Sequence, residues 1–156
     1  MTRNVAQKFG RCTMPSTLYC AVCRTRLSPS LEIATRPAVD QAPTAFAHGS
    51  PVVPTGHAIR SSQPAPWISA ACRILMSVPQ HWLNPEDVAA WVRESSDGSG
   101  MSGCCGPTGL SGPNQQCRRC RSLVGVLQDD CITPRVFLPD PEKTFWAEQD
   151  ADHLPW

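Results

Sequence analysis

At 156 residues the chain has room for one domain, or for one small domain with tails. Leu, Ile, Val and Phe total only 30 of those residues, so a large self-sufficient core is excluded. The formal net charge of +1 excludes the strong self-repulsion of a disordered polyelectrolyte. No apolar run approaches the length of a membrane span, and no apolar stretch follows the polar start, so neither a membrane anchor nor a secretory signal is expected. A cytoplasmic, reducing compartment follows as the expectation. There the nine cysteines, an odd number, read better as metal ligands than as a disulfide framework.

Residues 1–34 form an N-terminal segment with a basic start. Cys12 stands alone and reads as a free thiol. Leu18 and Tyr19 lead into Cys20 as a short strand would, and Cys20-Ala21-Val22-Cys23 has the two-residue gap of a zinc knuckle. Leu27 and Leu31 supply the first apolar contacts behind it. Residues 35–66 are a different material, interrupted by Pro37, Pro43, Pro51, Pro54, Pro64 and Pro66. They read as an extended linker or irregular insertion, with brief extended pieces at Val52-Val53 and Ala58-Ile59. His48 and His57 in this stretch read as solvated loop residues rather than as a fourth ligand.

Residues 67–140 are expected to form the Cys-rich core. Trp67 to Val78 is the most apolar stretch, and its length suits a strand or a short helix equally. Cys72 within it reads as a buried structural thiol. Next, Asn84 is a good N-cap and Pro85 suits the first helical position. Glu86 and Asp87 oppose the positive end of a helix dipole, which explains them without acid–base chemistry. Leu83 and Val88 sit at the two positions of a hydrophobic staple. A helix over about 85–94 is predicted, ending before the Ser/Gly run at 95–100.

The Cys- and Gly-rich stretch from Gly103 to Cys120 holds Cys104, Cys105, Cys117 and Cys120, and Cys131 follows it. Cys117-Arg118-Arg119-Cys120 is the second two-residue gap. It continues as Arg-Ser-Leu, where the first continues as Arg-Thr-Arg-Leu, a weak internal repeat of one unit. Leu123–Leu127 and Arg135–Leu138 read as a hairpin turning at Gln128–Cys131. Residues 141–156 are an acidic tail. Charge is uneven along the chain. Residues 1–60 carry seven basic and two acidic groups, and residues 128–156 carry two and seven. The basic half could meet an anionic partner.

From Gly103 to Cys131 the chain resembles a group of small bacterial proteins, common in actinobacteria, that have no known activity. Gly103-Cys104-Cys105-Gly106, Gly109, Gly112-Pro113-Asn114, Cys117/Cys120 and Asp130-Cys131 carry the resemblance. Thr108 stands where the group usually has Asp. Leu83 to Asp87 and the Cys20/Cys23 pair are similar too. The resemblance implies a zinc-ribbon-like protein. Zinc knuckles usually have Gly just after their second Cys, and Arg24 and Arg121 occupy that place here, which implies backbone strain.

The expected fold is thus small α+β and zinc-ribbon-like, with short hairpins around the knuckles, one short helix near 85–94 and much irregular structure. The expected function is a zinc-binding or scaffold role with no catalytic activity. Cys20, Cys23, Cys117 and Cys120 are the expected zinc ligands, and Cys104, Cys105 and Cys131 a second, weaker set. Two alternatives stand beside this reading. Arg24, Arg26, Arg118, Arg119 and Arg121 cluster at the knuckles and could meet nucleic-acid phosphates, although charged tips also serve solubility. A thiol redox role for Cys117/Cys120 has the right spacing and basic neighbours, without a surrounding βαβ pattern. A protein partner is a further possibility, and no membrane partner is expected. His81 beside Trp82, and His153, are read as non-catalytic.

Overall fold

The computed structural model describes residues 15–35, 49–65, 73–95, 106–109, 112–131 and 133–148. Among them the chain is mostly β. The strands are β1 (Ser16–Cys20), β2 (Glu32–Thr35), β3 (His57–Ser61), β4 (Gln80–Leu83), β5 (Val92–Glu94), β6 (Gln115–Cys117), β7 (Leu123–Gln128), β8 (Val136–Pro139) and β9 (Thr144–Glu148). The single α-helix of the described residues, α1 (Arg73–Met76), is one turn long. No helix of the described residues is long and apolar enough to cross a membrane. Seven strands form one sheet in the order β2-β3-β4-β8-β7-β6-β5, and β1 and β9 form a separate antiparallel pair. Within the large sheet only β2 and β3 run parallel.

The large sheet is buried on both faces. Ala58, Leu83, Phe137 and Val124 belong to one apolar cluster with Leu18, Leu27 and Leu31, which come from β1 and the chain just after it. Ile59, Trp82, Val126 and Leu138 belong to a second cluster with Ile74 and Leu75 of α1 and with Val53. Neighbours in sequence therefore part to opposite faces, as at Trp82/Leu83 and Phe137/Leu138. Strand β7 breaks this rule, since Val124 and Val126 fall in different clusters. The cause is a bulge: Gln116 pairs with Leu123 while Gln115 pairs with Gly125, so Val124 is the extra residue and turns to the other face.

Two readings from sequence are corrected here. The helix over 85–94 is replaced by a 3-10 turn over Pro85–Asp87, a further turn, and then β5. The cap itself is present: Asn84 Oδ1 accepts from the Glu86 amide at 2.9 Å. Its other arm donates to the Val53 carbonyl at 3.0 Å, and buried Asp87 accepts from the Gly56 amide at 2.9 Å. The Asn-Pro-Glu-Asp segment is a clamp on the loop before β3 rather than a helix start. Beyond it, pairing of Val92–Glu94 with β6 takes up the backbone that a helix would have used. The second concerns 35–66, read as a linker or insertion; the extended piece expected at Ala58-Ile59 is there, as part of β3. Residues 36–48 lie outside the described residues, but Pro51 to Ala65 contributes β3 and two core residues, Val53 and Ala65. Likewise β9 comes from the segment read as an acidic tail.

Buried polar side chains complete the backbone where strands are short. Gln80 Nε2 donates to the carbonyls of Leu75 and Ser77, and its Oε1 accepts from Ala65 N and Trp82 Nε1. Asn114 pairs with both backbone groups of Leu127, at 2.9 and 2.7 Å. Gly125 is required for packing: an added Cβ would lie 2.6 Å from both the Leu138 carbonyl oxygen and Phe137 Cζ. Gly125→Ala is expected to lower unfolding stability by about 1–3 kcal/mol, measured by chemical denaturation.

His81, on β4 opposite Arg60, lies tilted against Trp146 of β9 with ring centroids 5.0 Å apart. Burial, aided by Arg60, pulls its pKa down from 6.5 to about 4. The unfolded chain therefore binds the extra proton first. Stability from this residue is complete above about pH 6.5 and is lost as pH falls toward 4. The loss should reach about 2–3 kcal/mol in denaturation midpoints compared across that window. His81→Gln should flatten the dependence.

Candidate metal centre

Strand β1 ends at Cys20 and β6 ends at Cys117, and each is followed by the same tight loop. The Arg24 amide donates to the Cys20 carbonyl at 2.8 Å, and the Arg121 amide donates to the Cys117 carbonyl at 2.9 Å. One residue on, Cys20 N donates to the Thr25 carbonyl and Cys117 N to the Ser122 carbonyl, both at 2.9 Å. Tyr19 then faces Arg26 as Gln116 faces Leu123. The weak repeat in the sequence is a repeat of backbone geometry. Both loops close through a left-handed residue: Arg24 has φ 62° and Arg121 has φ 64°. These are the two positions where glycine is usual, so both arginines are held in a conformation that disfavours a side chain.

The two loops bring four sulfurs together. The Sγ atoms of Cys20, Cys23, Cys117 and Cys120 all lie within 4.8 Å of one another. Across the loops, Cys20 and Cys120 are 3.6 Å apart, and Cys23 and Cys117 are 3.7 Å apart. A disulfide would need about 2.05 Å. For a tetrahedral ion with metal–sulfur bonds of about 2.3 Å, the edge between two sulfurs is about 3.8 Å. The four cysteines thus fit the corners of a site for one metal ion. Cys20 and Cys117 are buried, while Cys23 and Cys120 are half-buried at the loop tips.

The surroundings treat the sulfurs unequally. Burial pushes the Cys20 thiol up to about 12, opposed by the amides of Cys23 and Val22, which point at its sulfur. Cys117 is raised for the same reason and opposed by the amides of Cys120 and Arg119, at the same two offsets. Cys23 goes the other way. Burial acts upward on it, but the Thr25 hydroxyl and amide, with Cys117 and Cys120, bring it down to about 6. Cys23 Sγ lies 3.2 Å from Thr25 Oγ1. Four thiolates this close repel strongly, and a bound dication is what lets all of them ionise.

The centre sits where the two sheets meet. Leu18, Leu27, Val92 and Val124 pack around it, with half-buried Trp91 and Trp146. Each loop tip is tied to another element. The Ala21 amide donates to the Lys143 carbonyl at 2.8 Å, and the Arg118 amide to the Trp91 carbonyl at 3.0 Å. Thr25 and Lys143 were not singled out in the sequence, and Trp91 was read only as part of the apolar face of the 85–94 helix. Of the first two only Thr25 was legible, as the residue matching Ser122 in the repeat.

Cys131 is exposed and lies outside the four-sulfur group, and Cys104 and Cys105 lie outside the described residues, as do Cys12 and Cys72. All five knuckle arginines are exposed and follow the two loops. Arg24 lies over the Phe145 ring at 5.4 Å, and Arg119 reaches Thr25 of the opposite loop at 3.4 Å. Arg118 also borders a cleft of about 520 Å³ beside the second loop, whose floor includes Val88, Val92 and Phe137. Arg135 in this cleft is held by Asp129 at 3.3 Å and by Glu86 at 3.7 Å.

No family model, curated protein or solved structure matches this chain.

Relief of strain at the loops is directly measurable. Arg121→Gly should raise stability by about 1 kcal/mol, because glycine adopts φ 64° freely. Arg121→Val should lower it by a similar amount or more, since a β-branched residue fits that region worst. Equal denaturation midpoints for the two variants would contradict the strained geometry.

Proposed function

We propose that Cys20, Cys23, Cys117 and Cys120 hold one structural zinc ion, and that the protein is a zinc-ribbon-like binding or scaffold protein. The observation that carries this is the pair of cross-loop sulfur separations, 3.6 and 3.7 Å, in a group of four. All-sulfur tetrahedral sites are taken by zinc or by iron. These separations leave space for a single ion and no space for the inorganic sulfide of a cluster. With four protein ligands the site is closed, which suits a structural ion rather than a catalytic one. Amides aimed at Cys20 and Cys117 supply the outer hydrogen bonds that such ligands need.

A cytoplasmic, reducing compartment suits four cysteines held as thiols. Kinship with the small actinobacterial proteins belongs to the same proposal. It is supported by the work that the shared residues do here. Gly106 lies against the Asp129 carbonyl, where a Cβ would collide, Gly109 has φ 70°, and Asn114 pairs with Leu127.

The test is elemental analysis of protein purified under reducing conditions, alongside native thiol counts and limited proteolysis. One zinc per chain is expected, with iron far below one. Cys117→Ser and Cys120→Ser should lose the ion and expose the 112–131 segment to protease, as should chelator. Cys131→Ser should retain the ion. Metal-free protein with an unchanged digestion pattern would refute the proposal.

A further inference from the structure

We propose that the knuckle face binds the phosphate backbone of nucleic acid without reading its bases. This rests on the metal-held loops proposed above, which bring arginines from two distant segments onto one surface. Arg24 and Arg26 belong to the first loop, and Arg118, Arg119 and Arg121 to the second. The Arg119–Thr25 contact shows that the two sets adjoin. Exposed Lys143 joins them, since its carbonyl accepts from the Ala21 amide at the tip of the first loop.

These arginines have no carboxylate partners among the described residues and gather on one surface. Among the described residues none of the five makes an ion pair. Arg73 pairs with Asp140 and Glu142, and Arg135 with Glu86 and Asp129, while Arg60 and Arg93 stand singly on their strands without ion pairs among the described residues. The charge of the centre does not account for the surplus. Four thiolates around a dication leave two negative charges, and six cationic side chains surround them. The excess is positive and faces solvent. Guanidinium groups match phosphate oxygens in bidentate fashion, and a surplus spread along two loops suits a linear row of phosphates.

The aromatic residues beside the loops are already engaged. Tyr19 and Phe145 stack on each other at 5.4 Å, Arg24 covers Phe145, and Trp146 lies tilted against His81. Half-buried Trp91, beside the second loop, packs against the apolar cluster. Among the described residues no fully exposed ring stands among the knuckle arginines, so the contact is with the backbone. Val22 and Leu123 are the exposed aliphatic residues of the loops, and single aliphatic side chains do not make a protein-binding anchor.

The experiment measures binding of full-length zinc-loaded protein to a labelled DNA duplex, its single strand, RNA of the same sequence, and poly-glutamate, across a salt series. Zinc content is determined on the same samples. If all five guanidinium groups meet phosphates, affinity for duplex should fall roughly five-hundredfold over a fourfold rise in salt. The double variant Arg118→Ala/Arg119→Ala should reduce the salt slope by about two. Arg118→Lys/Arg119→Lys should retain that slope, and Arg60→Ala, on β3, should change nothing. Absence of nucleic-acid binding at low salt by zinc-loaded protein would overturn the inference and leave the metal site standing. Binding to poly-glutamate alone would overturn it in favour of an acidic protein partner. A strong preference for one base composition would overturn the backbone-only contact. Protein that lacks zinc yet binds duplex with the expected slope would support this inference while refuting the metal site.

Discussion

Two sheets that share no strand are held against each other at four sulfur atoms. The cysteines that face each other across the loops are 94 and 100 residues apart in sequence. An ion at that point would close loops of that length, and such closure acts mainly by restricting the unfolded chain. The apolar contacts around it are real but few. The cluster that joins β1 to the large sheet consists of single side chains from short strands, with Cys20 and Cys117 among its fully buried members. Sulfur is therefore part of the core as well as its fastening. Removal of one ligand would leave a cavity and an unmatched thiolate together, two penalties at one place.

The doubled loop explains a choice that is unfavourable locally. A residue at φ 62–64° would normally be glycine, and this chain places arginine there twice. Strain of this kind persists where the surrounding hydrogen bonds over-determine the backbone. Here the loop closes with an amide-to-carbonyl bond before the residue and another after it, in both copies. Glycine would relieve the strain and remove a cation from the knuckle face. The two arginines thus keep a cation at each loop at a cost in stability, which the proposed phosphate contact would offset.

Local signals were legible in the sequence where they depended on side chains alone. The Asn84 cap, the 123–138 hairpin and the pairing of the two Cys-x-x-Cys units needed only residue type and spacing. The helix after Asn84 was misread because its apolar positions, Val88, Trp91 and Val92, also suit a turn leading into a strand. The partner strand β6 decided between the two. Strand β3 was legible only as a brief extended piece at Ala58-Ile59, among prolines. Its own residues, His57–Ser61, contain no proline, but a five-residue strand carries little pattern of its own. The bulge at Val124 was invisible for a different reason. It is fixed by Asn114 pairing with Leu127, a contact between segments that sequence alone does not register.

Low apolar content is compensated by side chains that act as backbone. Gln80, Asn84, Asn114 and Gln128 are all buried, and each uses its amide to complete main-chain groups that lack a strand partner. Asp140 does the same with its carboxylate, accepting from the Glu142 amide while it holds Arg73. No buried side-chain nitrogen or oxygen of the described residues is left without a hydrogen bond. Such a network adds little net free energy per bond but penalises any alternative packing heavily. It fixes where β6 and β7 lie, and β6 fixes Cys117 and Cys120 by ending where it does. The precision of the sulfur cluster is thus inherited from buried amides in the sheet. A substitution such as Asn114→Leu, far from any ligand, would loosen the centre through the bulge it anchors.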